Sequence, residues 1–335
     1  MTTPTSPFAA LQLPIRRARL TLRLLEDTTL PAYKGAMLRG GFGYAIQRIA
    51  CPPPCHGAAD SCPVRDRCTY HRIFEPMHPS HTAALHDLRD APRAFVLRSP
   101  PGAQTSYQAG ETLEFGLMLV GNAIDELPHF ILGFEQFGRI GLGRHHAPAR
   151  LERVEVLQPW QPTGTLVYAD GQARNADAPL PTLTTQAVIA RAEQMPSDLT
   201  LELHTPLRIK THGTMLRRFE LAPLVQSICW RLNALALFYG GQTEPISYRA
   251  VVEQAPMARI IAARVRWDDW QRTSTRGPEP HTMPMGGLVG SVELGDVPPA
   301  VRAALLLGSL IGVGKGATFG LGEVEVRGRS GGSGA

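Results

Sequence analysis

The change from strand-like to helix-like hydrophobic period occurs along this chain in an order that repeats, and that repetition restricts the fold more than any other feature. Residues 17 to 25 (RARLTLRLL) alternate, with Ala18, Leu20, Leu22 and Leu24 on one face and Arg17, Arg19, Thr21 and Arg23 on the other. A period of two marks a half-buried strand, here with a basic outer face. After Pro31, Leu38, Phe42, Ile46 and Ile49 recur at helical spacing, despite three glycines that weaken a helix. Beyond a cysteine-rich insertion, 93 to 98 and 111 to 120 read as strands and 123 to 136 as a helix, and FGRIGLG leads into a strand over 150 to 157. The second half repeats the order: a strand at 199 to 205, a helix over 219 to 239, strands at 259 to 267 and 287 to 294, then a helix opened by Pro298 and Pro299. A glycine-rich loop and a strand at 322 to 327 complete it. Pairing Gly143 with Gly322 sets an offset of 179 (322 less 143), which carries Leu20 onto Leu199.

Each half is a β-α-β-β-α-β unit, the ferredoxin-like arrangement of a four-stranded antiparallel sheet with two helices on one face. The expected class is therefore α+β with tandem ferredoxin-like domains; the alternative is an α+β chain whose halves agree by chance. The first domain covers 1–157 and holds the Cys-rich insertion at 51–76. Residues 158–195, rich in Pro, Gly, Ala and Thr, read as a linker, 196–327 as the second domain, and 328–335 (GRSGGSGA) as a flexible tail.

With 43% hydrophobic and 19% charged residues, the composition excludes disordered, collagenous and disulfide-dense classes. The formal charge of +5 hints at a polyanionic partner without specifying one. Near the C-terminus the longest run free of charge, Ala303 to Gly314, is 12 residues with three glycines, against the roughly 20 needed to span a bilayer, so no membrane span is expected. The N-terminus lacks the basic start and continuous apolar stretch of a secretory signal, which reads as cytoplasmic, and disulfides are not expected there.

Residues 308 to 322 read GSLIGVGKGATFGLG. A Walker loop would place glycine where Ser309 stands and Ser or Thr where Gly316 stands, and it would run from strand into helix rather than from helix into strand. What remains is a cationic, glycine-lined concavity suited to a nucleic-acid backbone, formed by Gly312, Gly314, Lys315, Gly316, Gly320 and Gly322. A tight turn needing φ > 0 would account for two or three of the glycines, not for six. Arg272 and Arg276, alternating with Trp270 and Ser274, make a backbone-contacting rim or a solvated surface.

The segment RTSTRGPEPHTMPMGGLVGSVEL, with LIGVGKGATFGLGEVEV after the helix, resembles the C-terminal domain of the CRISPR precursor-RNA-processing endoribonucleases of the RAMP superfamily. LHTPLRIKTHG, ALALFYGG, LPAYKGAMLRGGFG and CTYHRIFEP are similar to the same family, so the resemblance extends over most of 14 to 327. It implies two ferredoxin-like, RRM-like RAMP domains. It also implies CRISPR repeat RNA and mature guide RNA as partners, other CRISPR effector subunits beside them, and metal-independent cleavage by the neighbouring 2′-hydroxyl, with the product retained.

Cys51, Cys55, Cys62 and Cys68 fall within 18 residues, enough for one tetrahedral thiolate site, while Cys229 lies alone in an apolar helix. Structural zinc is the first expectation; an iron–sulfur cluster and plain thiols are the alternatives, with His56 and His71 near enough to replace a ligand. Four cysteines would leave no open coordination position, so no catalytic cofactor is expected.

In the resembled family the first helix commonly carries a histidine for proton transfer. Here no histidine precedes His56, and Tyr44 in GGFGYAIQ occupies the expected place. Arg39, Tyr44 and Lys34 are the candidate catalytic residues, with Tyr33 and Arg48 close by; they would align the 2′-hydroxyl and stabilise the charge of the phosphorane. The bland reading has the arginines holding phosphate and Tyr44 packing. His281, His145 and His146 sit in loops and are ambiguous. The rival functions are a non-catalytic guide-RNA-binding subunit and a general single-strand RNA-binding protein, although the aromatic signatures of RRM sheets are not evident.

Overall fold

Alternation around Leu20 does form a strand. In the computed structural model, which describes residues 6–51, 62–76, 91–100, 102–175, 177–274 and 281–329, β1 (Ile15–Leu24) buries Ala18, Leu20, Leu22 and Leu24. The chain divides into an N unit, Leu13–Leu183 with Leu235–Glu244, and a C unit, Met1–Gln12 with Thr184–Ala234 and Pro245–Ala335.

In the N unit β1 is followed by β2 (Thr28–Thr29), α1 (Gly35–Ala50), α2 (Thr69–Phe74), β3 (Phe95–Arg98), β4 (Ser106–Tyr107) and β5 (Thr112–Val120). Then come α3 (Leu127–Ile140), β6 (Ala149–Leu157), β7 (Gly164–Ala169) and β8 (Gln172–Ala173). The sheet runs β3-β5-β1-β6-β7-β8, antiparallel throughout, and its first four strands have the ferredoxin-like order. Phe42 of α1 stacks on Phe130 and Phe134 of α3 with centroids 4.6 and 4.7 Å apart. Glycine permits this approach: a Cβ on Gly41 would lie 2.0 Å from the Phe137 ring, and one on Gly133 would lie 2.5 Å from Phe42. The glycines that lower helix propensity in α1 thus let it pack. On the outer face of β1, Arg19 meets Glu155 at 3.4 Å and Glu114 at 3.7 Å, and Arg23 meets Glu152 at 2.8 Å, so cross-strand acids neutralise part of the basic stripe.

The elements of the C unit begin with α4 (Thr185–Gln194) and β9 (Leu199–Leu207), followed by β10 (Lys210–Thr211), β11 (Thr214–Met215), α5 (Leu221–Tyr239), of which residues 221–234 belong to this unit, and α6 (Arg249–Gln254). β12 (Arg259–Asp268), β13 (Gln271–Ser274), β14 (His281–Pro284), β15 (Gly287–Gly295), α7 (Pro299–Ile311) and β16 (Val324–Gly328) complete it. Its main sheet, β12-β15-β9-β16, has the same ferredoxin-like order and is also antiparallel. Both halves are ferredoxin-like, in an α+β chain.

Four details depart from the sequence reading. The stretch 158–195 holds β7, β8 and α4, and α4 is capped by the Thr184 hydroxyl accepting from Ala187 N at 3.1 Å; its Pro- and Gly-rich flanks hid the short apolar run of β7. The second helix of the N unit starts at Leu127 with Pro128 in its first turn, later than 123, because a 3₁₀ turn over Gly121–Glu126 precedes it. Arg329, read as tail, bonds through its N–H to Asp198 O at 2.9 Å and pairs with Glu293 at 3.1 Å. By length and composition alone, the 19-residue α5 could cross a membrane, contrary to the expectation of no such segment. Its Leu224, Val225, Ile228 and Leu232 are buried, which is how a core helix uses an apolar sequence.

Candidate nucleic-acid interface

The glycine-rich loop begins where α7 ends, with Gly312 at φ 72°. Gly314, Gly316, Gly320 and Gly322 also have positive φ, and a Cβ on the sixth glycine, Gly308, would lie 2.6 Å from Ile228. All six glycines therefore have a steric reason, which corrects the expectation that a turn needs only two or three. The demand is strongest at Gly314, whose Cβ would lie 2.3 Å from Arg208 O, and at Gly322, whose Cβ would lie 1.8 Å from Val313 O. The loop is tied down on both sides. Lys315 N donates to Arg208 O at 2.8 Å, Val313 N to Gly322 O at 3.1 Å, and the buried Thr205 hydroxyl to Gly320 O at 2.8 Å. Lys315 is exposed, and no other residue from 308 to 322 is cationic.

Arg272 lies in β13, paired in register with Met283 of β14, and His281 pairs with Ser274. Arg276 lies outside the described residues. These strands form their own two-stranded ribbon.

On α1 the structure does not bring the three candidate catalytic residues together. Lys34 precedes the helix and is 1% exposed; its ammonium donates to Gln104 O at 2.6 Å and to Ala32 O at 3.3 Å and lies 5.5 Å from the Tyr107 ring centroid. Burial pushes the Lys34 ammonium below the ordinary lysine range. It anchors the helix entry and is closed to RNA, which corrects its assignment to the reacting site. Arg39 lays its guanidinium over the Phe74 ring at 4.9 Å, toward α2. Five residues on, Tyr44 lies about 140° further round the helix. Tyr44 is about half exposed, and its hydroxyl accepts from Arg48 Nη1 at 2.9 Å. Tyr44 and Arg48 thus form one exposed phenol–guanidinium pair, and the sequence offered its signal in their i, i+4 spacing.

Cys51, Cys62 and Cys68 are buried in the N-unit core and form no disulfide among the described residues, where Cys229 is likewise buried. Burial pushes the Cys229 thiol up to about 12, the behaviour of an inert core cysteine. Cys55 and His56 lie outside the described residues. Among the described residues no three His, Cys, Asp or Glu side chains form a group that could hold a metal ion. His71 is buried and faces the backbone and carboxylate of Glu75. The described ligands by themselves do not make the four-thiolate site the spacing suggested.

Residues 13–180 match the AF_1859_N family model, an N-terminal domain, and residues 201–324 match that of the CRISPR-associated endoribonuclease Cas6. An uncharacterized protein of Archaeoglobus fulgidus is 23% identical over 321 residues, 93% of this chain and 98% of that one. Among solved structures, a partial Cas6-RT-Cas1–Cas2 complex superposes with a TM-score of 0.59 at 14% identity, over 97% of this chain and 48% of the other; this chain thus spans about half the length of that one. Thermus thermophilus Cas6 superposes with a TM-score of 0.51 at 14% identity, over 95% of this chain and 100% of the other. At such identities the superpositions speak to the fold, the tandem ferredoxin-like arrangement reached above from strand order. By the match over half of its length the chain belongs to the AF_1859_N family, and its C-terminal domain, residues 201–324, matches the CRISPR-associated endoribonuclease Cas6 in sequence.

Proposed function

We propose that this chain cuts CRISPR precursor RNA within the repeat, without metal, and keeps hold of the product. The observation that carries the reading is the exposed Tyr44–Arg48 pair, at the place on α1 where the resembled family offers histidine. The 2′-oxygen attacks the adjacent phosphorus, the bond to the 5′-oxygen breaks, and a 2′,3′-cyclic phosphate and a 5′-hydroxyl result. The 2′-hydroxyl loses its proton and the departing oxygen gains one, so the protein has to supply position and charge rather than a nucleophile. Arg48 stabilises the negative charge of the phosphorane, and the Tyr44 oxygen, already held by Arg48, orients the 2′-hydroxyl. Arg39, turned toward Phe74, takes no part in this pair.

Incubating the protein in EDTA with end-labelled repeat RNA and resolving the product ends tests the reading. Cyclic phosphate with 5′-hydroxyl is expected; 3′-hydroxyl with 5′-phosphate would overturn it. The absence of any histidine before His56 favours a second reading, a guide-RNA-binding subunit that does not cut, and RNA bound but intact would select it. Other CRISPR proteins are the proposed protein partners, and co-purification from the native host tests that. Structural zinc on Cys51, Cys55, Cys62 and Cys68 rests on their spacing alone. One zinc per chain by elemental analysis, lost with stability on Cys55→Ser plus Cys62→Ser, is the expected result, and a zinc-free, fully stable protein would remove it.

A further inference from the structure

Arg208 follows β9 directly, and its side chain passes Gly287 at the start of β15. A Cβ on Gly287 would lie 2.7 Å from Leu207 O and 2.9 Å from Arg208 Cγ, so glycine is needed where β9 and the arginine stem meet β15. At its tip Nη1 donates to Met285 Sδ at 3.1 Å, and a thioether is a weak acceptor. The Arg208 Nε is buried with no partner among the described residues. Burial pushes the guanidinium below the ordinary arginine value, and no carboxylate acts to raise it. A half-buried guanidinium whose best partner is sulfur is a costly arrangement for the protein alone, because desolvation is not offset by an anionic acceptor.

The surroundings bring cations and an indole together, with one carboxylate near: a Cβ on Gly286 would lie 2.9 Å from Asp269 Oδ1. Lys315 N donates to Arg208 O, and Arg208 pairs with Gly314 in a one-residue parallel bridge, so the loop lysine is built directly onto the Arg208 backbone. Across the glycine pair, a Cβ on Gly286 would lie 2.9 Å from Trp267 Nε1, a second buried donor without a partner among the described residues. The exposed Arg217 guanidinium lies 3.7 Å over the Trp267 ring.

We propose that Arg208 and Lys315 together seat one phosphodiester of the repeat RNA, with the Arg217–Trp267 stack beside them as a platform for the neighbouring base. A phosphate oxygen gives the guanidinium the charged acceptor that Met285 cannot, and cations interleaved with a stacking surface suit a single strand. This rests on the RNA-binding reading of the loop and adds to it the residue beneath the lysine.

The test uses the whole chain and a labelled single-stranded repeat RNA, with affinity measured across a salt series. Arg208→Gln is expected to lower affinity about ten-fold and to make the salt slope shallower by about 0.7, the share of one single-strand phosphate contact. Arg208→Lys should restore the slope but not the full affinity, since an ammonium does not reproduce the planar fork. That second variant also keeps the test decisive should the glutamine variant unfold. The double variant Arg208→Gln with Lys315→Ala should lose less than the product of the two single losses, because both cations serve one phosphate. A fully multiplicative loss would put them on different phosphates and overturn the shared seat. Wild-type affinity and slope in both Arg208 variants would overturn the proposal while leaving RNA binding intact. Failure of the wild-type protein to bind the repeat would instead remove the RNA-binding reading, and this proposal with it.

Discussion

The two units leave their second long helix by the same device and use it differently. α3 ends on Gly141 and α7 on Gly312, both at positive φ, so the structurally equivalent glycines stand 171 apart (312 less 141) rather than the 179 read from Gly143 and Gly322. In the N unit, Leu142 and Ala147 exchange both backbone hydrogen bonds. In the C unit, Val313 donates to Gly322 O, which makes that turn four residues longer (313 to 322 against 142 to 147). The added length carries Lys315 and reaches the Arg208 backbone, whereas the short turn presents the exposed Arg144. Glycine content follows from geometry in both turns, and the extra length is what ties the cation of the longer one to the Arg208 backbone.

If glycine serves the fold in the long turn, Gly322→Ala should destabilise the protein by about 3 kcal/mol or more, since a Cβ there collides with the Val313 carbonyl at a positive φ. Gly143→Ala in the short turn should cost less, about 1–2 kcal/mol, because its Cβ meets a Leu30 methyl that can move. Urea unfolding of both variants measures the contrast, and equal midpoints would break it. A division of labour is the next way to sharpen the comparison. Arg48→Ala on α1 should slow single-turnover cleavage about 10²-fold with affinity nearly kept, because charge on the phosphorane counts most in the transition state. Lys315→Ala should do the reverse, weakening repeat binding several-fold and flattening its salt dependence by about 0.7, with the saturated rate held. A rate defect in the lysine variant and a binding defect in the arginine variant would exchange the roles.

The smallest expected effect belongs to Lys34. Its folded-state pKa is depressed by burial, so the unfolded chain binds the proton more tightly. The cost of burying that charge is present at neutral pH and is relieved as pH rises through the folded pKa toward the ordinary lysine value of about 10.4. Stability from Lys34 should therefore grow with pH in that window, and the wild-type minus Lys34→Met difference in unfolding free energy should become more favourable there. A pH-independent difference would show that the site holds its ammonium without desolvation.

Period two around Leu20 and around Leu201, helical spacing of Leu38, Phe42 and Ile46, and glycines at helix ends were enough to read both ferredoxin-like units, because each signal is set by the backbone geometry of one local segment. The loop 308 to 322 was legible as a glycine-shaped turn carrying one lysine for the same reason: these residues are contiguous. Side-chain assembly was not legible in this way. Lys34, Arg39 and Tyr44 sit close in sequence, yet the first is buried on carbonyls, the second lies on Phe74 and the third pairs with Arg48. Arg208 stood unremarked in LHTPLRIKTHG, because nothing local shows that Gly287, far along the chain, makes way for it.

By itself the sequence determined the β-α-β-β-α-β strands and helices of each unit and their order, though not β7, β8 and α4 of the expected linker, since hydrophobic period and turn chemistry act over a few residues. Only the tertiary structure decided which cations are available. Whether an arginine or lysine meets solvent, an aromatic ring, a carbonyl or a sulfur depends on residues remote in the chain, and the desolvation and pairing that set its chemistry exist only once those residues have packed.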